Sequence, residues 1–395
     1  MILISIVTII FETILGLIVG YLLLLTFGAF FRKARILLKE KPSTDFAILI
    51  PAHNEERLLP ELLANLKKQN YPDERMAIFV VADNCSDQTA TLARQMGAAV
   101  FERADPTRSG KGYALNWLLA QIKLGSNRLF DAYVIFDADT VVSPDFLRVM
   151  DARLGHAEKV IQGYYAVRNP DRSSGVALRY AALAVLHFLR PLGRGKFGGS
   201  AGLKGNGMCF QSSLYERFSW SGSVTEDIEY HMTLILSGER VAFAPDAVLE
   251  AEMPGTLKSS TTQNVRWESG RLEMAKKYIP LLLRKMEKGR LFLYFDAIME
   301  HLIPPTALIA ILLGFSLVLG GLSGMFGQGW TLFWIAVGCG AGMVVYLFSG
   351  LAMVKAPRKV WLSLLYAPFY AVWKFLLLIG ILLGIRKQGW VRTQR

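Results

Sequence analysis

The sequence predicts an α/β domain carried on membrane helices, and three observations predict it. Strand-like and helix-like stretches alternate from Asp45 onward, polar clusters close three of the strand-like runs, and long apolar segments stand towards both ends of the chain. Hydrophobic residues make up 52% of the 395 positions, which places part of the chain in lipid.

Ile2 to Phe31 is almost continuously apolar, with Glu12 its only charge, and at about 1.5 Å per residue it is long enough to span a bilayer. It lacks the basic amino end and the short apolar core of a signal peptide, so it reads as a membrane helix. Arg32, Lys33, Arg35, Lys39 and Lys41 follow directly, and the positive-inside rule puts the next domain in the cytoplasm and the start of the chain outside. The strand-like runs of that domain are Phe46 to Ile50, Ala77 to Ala82, Ala98 to Phe101 and Tyr133 to Phe136. Between them Arg57 to Gln69, Asp87 to Met96 and Gly112 to Lys123 have helical periodicity.

That order predicts a parallel sheet, in which ligands lie beyond the carboxyl ends of the strands. Those ends carry Pro51-Ala-His-Asn-Glu55, Asp83-Asn-Cys-Ser-Asp87 and Asp137-Ala-Asp139. Asp137 and Asp139, delivered by a buried strand, repel each other unless a cation intervenes, and a hard divalent ion shared with a phosphate is the common solution. No G-x-G-x-x-G follows the first strand, which argues against a dinucleotide domain, and Arg108-Ser-Gly-Lys111-Gly departs from a P-loop in glycine spacing and in lacking Ser or Thr after the lysine. Such a loop still suits a diphosphate, or is simply a solvated basic loop.

Pro144 to Leu154 reads as a helix and Val160 to Tyr165 as a strand, and the run Gly193 to Gly207 reads as a mobile loop near a ligand or a floppy connection. Thr225-Glu226-Asp227 opens a helix. An acidic first turn is ordinary helix chemistry, while the functional reading makes Asp227 a general base. Gln263, Arg266 and Trp267 share a helix face, fit for phosphate or sugar contacts or for a headgroup-level amphipathic helix.

Leu302 to Gly321 and Thr331 to Val354 are strong spans, and Lys355, Arg358 and Lys359 mark the cytoplasm. Trp361 to Gly384 contains Pro368 and Lys374. A full crossing would put Arg386, Lys387, Arg392 and Arg395 outside, so this segment is expected to lie in the interface or re-enter. Asp296, Glu300 and His301, at the start of the first of these spans, are functional or interfacial. The organisation is therefore a membrane helix at 1–31, a basic linker at 32–44, a catalytic domain at 45–280, an interfacial segment at 281–301, membrane or interfacial helices at 302–385 and a basic tail at 386–395.

Cys85, Cys209 and Cys339 have no C-x-x-C spacing and read as reduced thiols. The net charge of +12 is not interleaved with exposed aromatics in one stripe, so membrane lipid and phosphate are better partners for it than nucleic acid.

The series PAHNEE, VVADNCSD, SGKGYALN, FDADT, GNGM, TED and QNVRW resembles the membrane-integrated family 2 glycosyltransferases, the group of cellulose, hyaluronan and poly-N-acetylglucosamine synthases and bacterial exopolysaccharide glycosyltransferases. The resemblance runs from Phe46 to about Arg271. It implies a GT-A fold, a mixed sheet flanked by helices, between membrane helices at the two ends of the chain. The implied reaction is inverting transfer from a nucleotide-sugar, a UDP-sugar by family expectation, with Mg²⁺ or Mn²⁺. It puts Ala52, His53, Asn54, Glu55, Asp83 and Lys111 at the nucleotide, Asp137 and Asp139 at nucleotide and metal, and Asp227 beside Glu226 as the catalytic base. Gln263 and Arg266 would meet the diphosphate, and Trp267, Gly205, Asn206 and Gly207 the acceptor. The small number of spans favours one sugar, or a short chain of them, passed to a lipid or exopolysaccharide precursor at the inner membrane. A processive β-glycan synthase is the alternative within the enzymes, and a nucleotide-binding scaffold or transporter is the alternative outside them.

Overall fold

The computed structural model describes residues 2–31, 35–125, 128–255, 257–286, 290–327 and 329–384. Arg32, Lys33 and the four basic tail residues used above to orient the chain lie outside the described residues. Among the described residues the strands are β1 (Phe46–Ala52), β2 (Met76–Asp83), β3 (Ala99–Arg103), β4 (Ala132–Ile135), β5 (Thr140–Val142), β6 (Val160–Val167), β7 (Met208–Gln211) and β8 (Ala242–Ala251). They form one sheet in the order β3-β2-β1-β4-β7-β6-β8-β5.

The first four strands are parallel, as their alternation with helices predicts. The sheet becomes mixed at β7, which runs antiparallel to both β4 and β6, while β8 runs parallel to β6 and β5 antiparallel to β8. Successive side chains of a strand point to opposite faces, and both faces are covered here. Ile48, Ile50, Val134 and Phe136 pack under Leu59, Leu62, Leu63 and Leu66 of the helix Leu59–Leu66, whose i, i+3, i+4, i+7 spacing makes that stripe. Ala47, Leu49 and Ile135 pack against Leu115 and Leu118 of the helix Lys111–Gly125 and Tyr230 of the helix Glu226–Leu236.

The pairing of β4 with β7 positions the site. Ile135 is the register partner of Met208, so the turn entering β7, Gly205-Asn206-Gly207, lies where β4 releases Asp137.

The glycine-rich run is not a loop throughout, and its loop portion is not floppy. Residues up to Lys196 belong to the helix Arg190–Lys196, and beyond it Ser200, Ala201, Leu203 and Asn206 are buried. Small residues serve close packing there: a Cβ on Gly193 would lie 2.2 Å from the carbonyl oxygen of Leu25, where this helix crosses the amino-terminal helix Ile2–Phe30. The segment Ser174–Lys196, which includes a π-turn at Val185–Leu189, is long and apolar enough to cross a membrane, and sequence patterning missed it because arginines interrupt it.

Four other helices meet the same criterion: Thr8–Phe30, Thr306–Met325, Thr331–Met353 and Arg358–Leu382. The first post-domain span begins at Thr306 rather than Leu302, because Pro304 and Pro305 break the chain after the helix Leu291–Leu302. The last segment, expected to lie in the interface or re-enter, is long enough to cross. Its helix Ala367–Leu382 packs beside Thr306–Met325 and against the long helix Leu257–Lys285. Buried Lys374 joins the two, binding Glu268 at 3.1 Å and the Asn264 side-chain oxygen.

Candidate active site

Asp137, the Gly205 turn and Asp227 converge on one ammonium group. Lys111, at the start of its helix, donates to Asp137 Oδ1 and to the carbonyl of Gly205. A Cβ on Gly205 would sit 3.4 Å from Asp227 Oδ2 and 3.9 Å from Lys111 Nζ, so Asp227 lies beside the same turn. Gly205 has φ +76°, a left-handed conformation that only glycine adopts at little cost. Burial works against the charge on Lys111, but Asp137, Glu226 and Asp227 overcome it and hold the ammonium above its ordinary range. Burial and repulsion from Asp227 push Glu226 up to about 7. Burial likewise raises Asp227, against the pull of the Ile228 N–H, Lys111 and Lys204.

Asn206 and Gly207, expected on the acceptor side, also hold the turn in place. Asn206 is fully buried, its Oδ1 accepting from the Asp137 N–H at 3.1 Å and its Nδ2 donating to Thr140 Oγ1 at 2.8 Å, so it braces the D-x-D turn. A Cβ on Gly207 would lie 2.2 Å from the Leu249 side chain, which makes it a packing glycine. Of the three, Gly205 adjoins Asp227 and Lys111, and Asn206 meets Asp137 at its backbone N–H.

The nucleotide-side residues cluster at the ends of β1 and β2. Ala52 closes β1 and is buried, His53 Nδ1 lies 2.7 Å from the Asp83 carbonyl, and Asn54 at φ 55° accepts from the Ser86 N–H at 2.7 Å. The Glu55 N–H donates to Thr89 Oγ1 at 2.8 Å. Asp83 is buried and bound at 2.5 Å by Arg103, which also bonds Asp105 and the Arg108 carbonyl. That ion pair joins β2 to the basic loop and has no local sequence signal, since its partners come from different strands.

Gln263, Arg266 and Trp267 lie on the helix Leu257–Lys285, which packs through Gly270 on the turn before Asp227: a Cβ there would lie 2.2 Å from the Thr225 side chain. Gln263 Oε1 accepts from Arg179 Nη1 at 2.5 Å, and the Arg179 guanidinium lies 5.7 Å from the Trp267 ring centroid. Arg179 was not expected here. Buried nitrogens of both arginines, Arg266 Nε and Arg179 Nη2, have no acceptor among the described residues.

Asp296 and Glu300, read as functional or interfacial, form a buried ion cluster behind the site. Arg194, 1% exposed in its side chain, lies 3.1 Å from Asp296 and bonds Glu300, Tyr21 donates to Asp296, and Lys204 stands 3.9 Å from Glu300. Lys204 directly precedes Gly205, and its N–H donates to Gln162 Oε1 at 2.9 Å while Gln162 Nε2 donates to the Asn206 carbonyl at 2.8 Å. The cluster thus pins the turn that carries Gly205.

Among the described residues no group of three His, Cys, Asp or Glu side chains forms a metal cage. Two aspartates one residue apart, offering hard oxygens beside a cationic wall, fit a divalent ion that completes its coordination on a diphosphate and water. Cys85, Cys209 and Cys339 are free thiols.

A family model described as glycosyltransferase like family 2 matches residues 42–270. The chain is 27% identical over 287 residues to the probable glycosyltransferase YdaM of Bacillus subtilis (strain 168), covering 69% of this chain and 66% of that protein. It is 25% identical over 276 residues to the beta-monoglucosyldiacylglycerol synthase of Synechocystis sp. (67% and 56% covered). It is 27% identical over 257 residues to the poly-beta-1,6-N-acetyl-D-glucosamine synthase of Staphylococcus aureus (61% and 59% covered). These matches span less than two thirds of each relative's own length. The structure is similar to the mannosyltransferase PcManGT from Pyrobaculum calidifontis, solved with GDP-Man and Mn²⁺, at a TM-score of 0.50 and 17% identity over 85% of this chain and 99% of that one, a likeness of fold.

Proposed function

The chain belongs to the glycosyltransferase-like family 2, and from that premise we propose that it moves a sugar from a nucleoside-diphosphate donor onto a lipid or glycan acceptor at the membrane surface, inverting the anomeric carbon. The observation that carries this reading is the meeting of Asp137, Lys111, Gly205 and Asp227 around one point.

In the proposed reaction the acceptor hydroxyl attacks the anomeric carbon, Asp227 takes its proton, the bond from that carbon to the diphosphate oxygen breaks, and the nucleoside diphosphate leaves with the electron pair. One displacement from the face opposite the leaving group inverts the configuration. Lys111 and Arg266 stand ready to balance charge that grows on the diphosphate, which stabilises the transition state more than the ground state. Asp137 and Asp139 would hold Mg²⁺ or Mn²⁺, which neutralises that same charge as a Lewis acid. The ends of β1 and β2, from Ala52 to Glu55 and at Asp83, would hold the nucleoside. The domain would face the cytoplasm from the cell (inner) membrane.

The acceptor divides the relatives by their names, one a glucosyldiacylglycerol synthase and another a polymer synthase. Single transfer to lipid is the reading adopted, with processive synthesis as the second. Purified protein in lipid, given a panel of nucleotide sugars, should produce one or a few added sugars in the lipid fraction by mass spectrometry. Asp227→Asn should lower transfer about 10²- to 10⁴-fold while donor binding survives. Transfer at the wild-type rate by that variant would leave a nucleotide-binding scaffold as the better account, and long product would favour the synthase.

A further inference from the structure

Two guanidinium groups beside Trp267 have no counter-charge. Among the described residues no carboxylate lies within ion-pair distance of Arg179 or Arg266, and the buried atoms Arg179 Nη2 and Arg266 Nε have no acceptor. Glu268, next to Trp267 in the chain, is already shared by Lys374 at 3.1 Å and Arg271 at 3.2 Å. Arg179 is 5% exposed, and its neighbours are neutral: the Gln263 side-chain oxygen at 2.5 Å, the Trp267 ring and the Tyr370 phenol. An arginine stays charged at any physiological pH, and a buried charge without a counter-ion is costly until an anion joins it.

Tyr165 ties this pair of arginines to the D-x-D turn. Its hydroxyl bonds the side chain of Asn206, which accepts from the Asp137 N–H at 3.1 Å, and it is close enough to Asp137, Arg179 and Arg266 to feel their charges. The ring is held in place: the His187 ring stacks on it with centroids 5.4 Å apart, and His187 Nδ1 lies 3.0 Å from the Tyr165 carbonyl. The pairing of β6 with β8 shifts register between Gly163 and Tyr164, and a Cβ on Gly163 would lie 2.9 Å from the Ala247 carbonyl. Such an irregularity re-aims the side chains that follow it. One tyrosine thus neighbours both the turn proposed to hold the metal and the two arginines that lack a counter-ion. An anion that meets both sides must bind a divalent cation and two guanidinium groups, which is the chemistry of a diphosphate.

We propose that Arg179 is a donor-binding residue supplied by a membrane candidate and not by the sheet domain: with Arg266 it grips the diphosphate of the nucleotide-sugar, while Gln263 holds its guanidinium plane and Tyr165 fixes its place relative to Asp137. The proposal deepens the reading of the chain as a nucleotide-sugar transferase and rests on it for the identity of the donor. Arg179 lies in the segment Ser174–Lys196, whose far end packs on the amino-terminal helix at Gly193 and Leu25. Donor affinity therefore depends on helices that the bilayer holds, as well as on the ends of β1, β2 and β4.

The test uses the full chain in phosphatidylcholine nanodiscs with Mn²⁺ and measures binding by calorimetry, without turnover. The probe is whichever of UDP, GDP, ADP, CDP or dTDP binds the wild-type chain, compared with its own monophosphate. Arg179→Met should weaken the diphosphate about 10- to 100-fold and the monophosphate less than about threefold. Arg179→Lys keeps the charge but loses the planar fork, so it should fall between, and it serves if the methionine variant does not fold. Without nucleotide, the thermal midpoint of Arg179→Met should be unchanged or higher, because an uncompensated buried charge is gone. A lower midpoint with equal loss of both nucleotides would show a structural arginine and overturn the proposal, as would diphosphate affinity unchanged in both variants. Wild-type diphosphate affinity with a raised KM for a polyprenyl-phosphate acceptor would move the guanidinium to a lipid phosphate and also overturn it. A chain that binds diphosphate through Arg179 yet transfers no sugar supports the proposal and sinks the transferase reading. Sugar transfer with diphosphate binding indifferent to Arg179 does the reverse, and a wild-type chain that binds none of the five diphosphates sinks both.

Discussion

Replacing Gly205 by alanine tests whether the turn before β7 sets the geometry of the reactive groups. At φ +76° an alanine carries about 1–2 kcal/mol of strain. The added Cβ would lie 3.4 Å from Asp227 Oδ2 and 3.9 Å from Lys111 Nζ, contacts without overlap, so the penalty is conformational. The chain relieves it by rotating the peptide, which swings the Gly205 carbonyl away from Lys111. A hydrogen bond to a charged group contributes about 1.5–3 kcal/mol, so kcat/KM should fall about 10- to 100-fold, measured as nucleoside diphosphate release. Gly198→Ala is the control: its φ of +82° imposes the same strain, but nothing among the described residues lies within 4 Å of the added Cβ. Both variants should lose similar thermal stability and only the first should lose turnover. Equal turnover in the two, whether kept or lost, would refute the argument.

Other outcomes are expected from the same geometry. Since burial raises Asp227, and burial with repulsion from Asp227 pushes Glu226 up to about 7, the pair holds a proton below neutrality, so transfer should rise with pH through about 7; Glu226→Gln removes the group that titrates there and should move the acid limb of the kcat/KM profile to lower pH. Arg194→Met leaves Asp296 and Glu300 without their main counter-ion and should destabilise the fold by about 3–5 kcal/mol in denaturant titrations, with much of the loss recovered when Asp296→Asn and Glu300→Gln are added. Chelation should stop transfer and added Mn²⁺ or Mg²⁺ restore it, and Asp139→Asn should raise the metal needed for half-maximal rate at least about tenfold.

The half of the domain that carries the parallel strands was legible because its signals are local. Buried runs such as Phe46–Ala52 and Ala132–Ile135 end in polar residues, and the leucine spacing of Leu59–Leu66 survives in isolation. The glycine run from Gly193 to Gly207 was misread because glycine has the same composition signal in a floppy connection as in a helix crossing at Gly193 or a braced turn at Gly205. Arg179 and Arg194 were overlooked, and Lys374 was noted without its partners, for another reason. A cation inside an apolar helix reads as an interruption until its partner is known, and their partners Gln263, Asp296 and Glu268 stand on other helices, far along the chain. No local pattern announces that both ends of the Asn206 amide are taken up inside the fold.

The contact of Lys374 with Glu268 and Asn264 spans 110 residues in its longer reach, and it has a mechanical consequence. The helix bearing Gln263, Arg266 and Trp267 is clamped to the segment expected to feel bilayer thickness and tilt. A fragment severed before residue 358 would strip Glu268 and Asn264 of Lys374 and release the helix on which the proposed sugar transfer depends, so the final membrane candidate braces the catalytic domain as well as anchoring it.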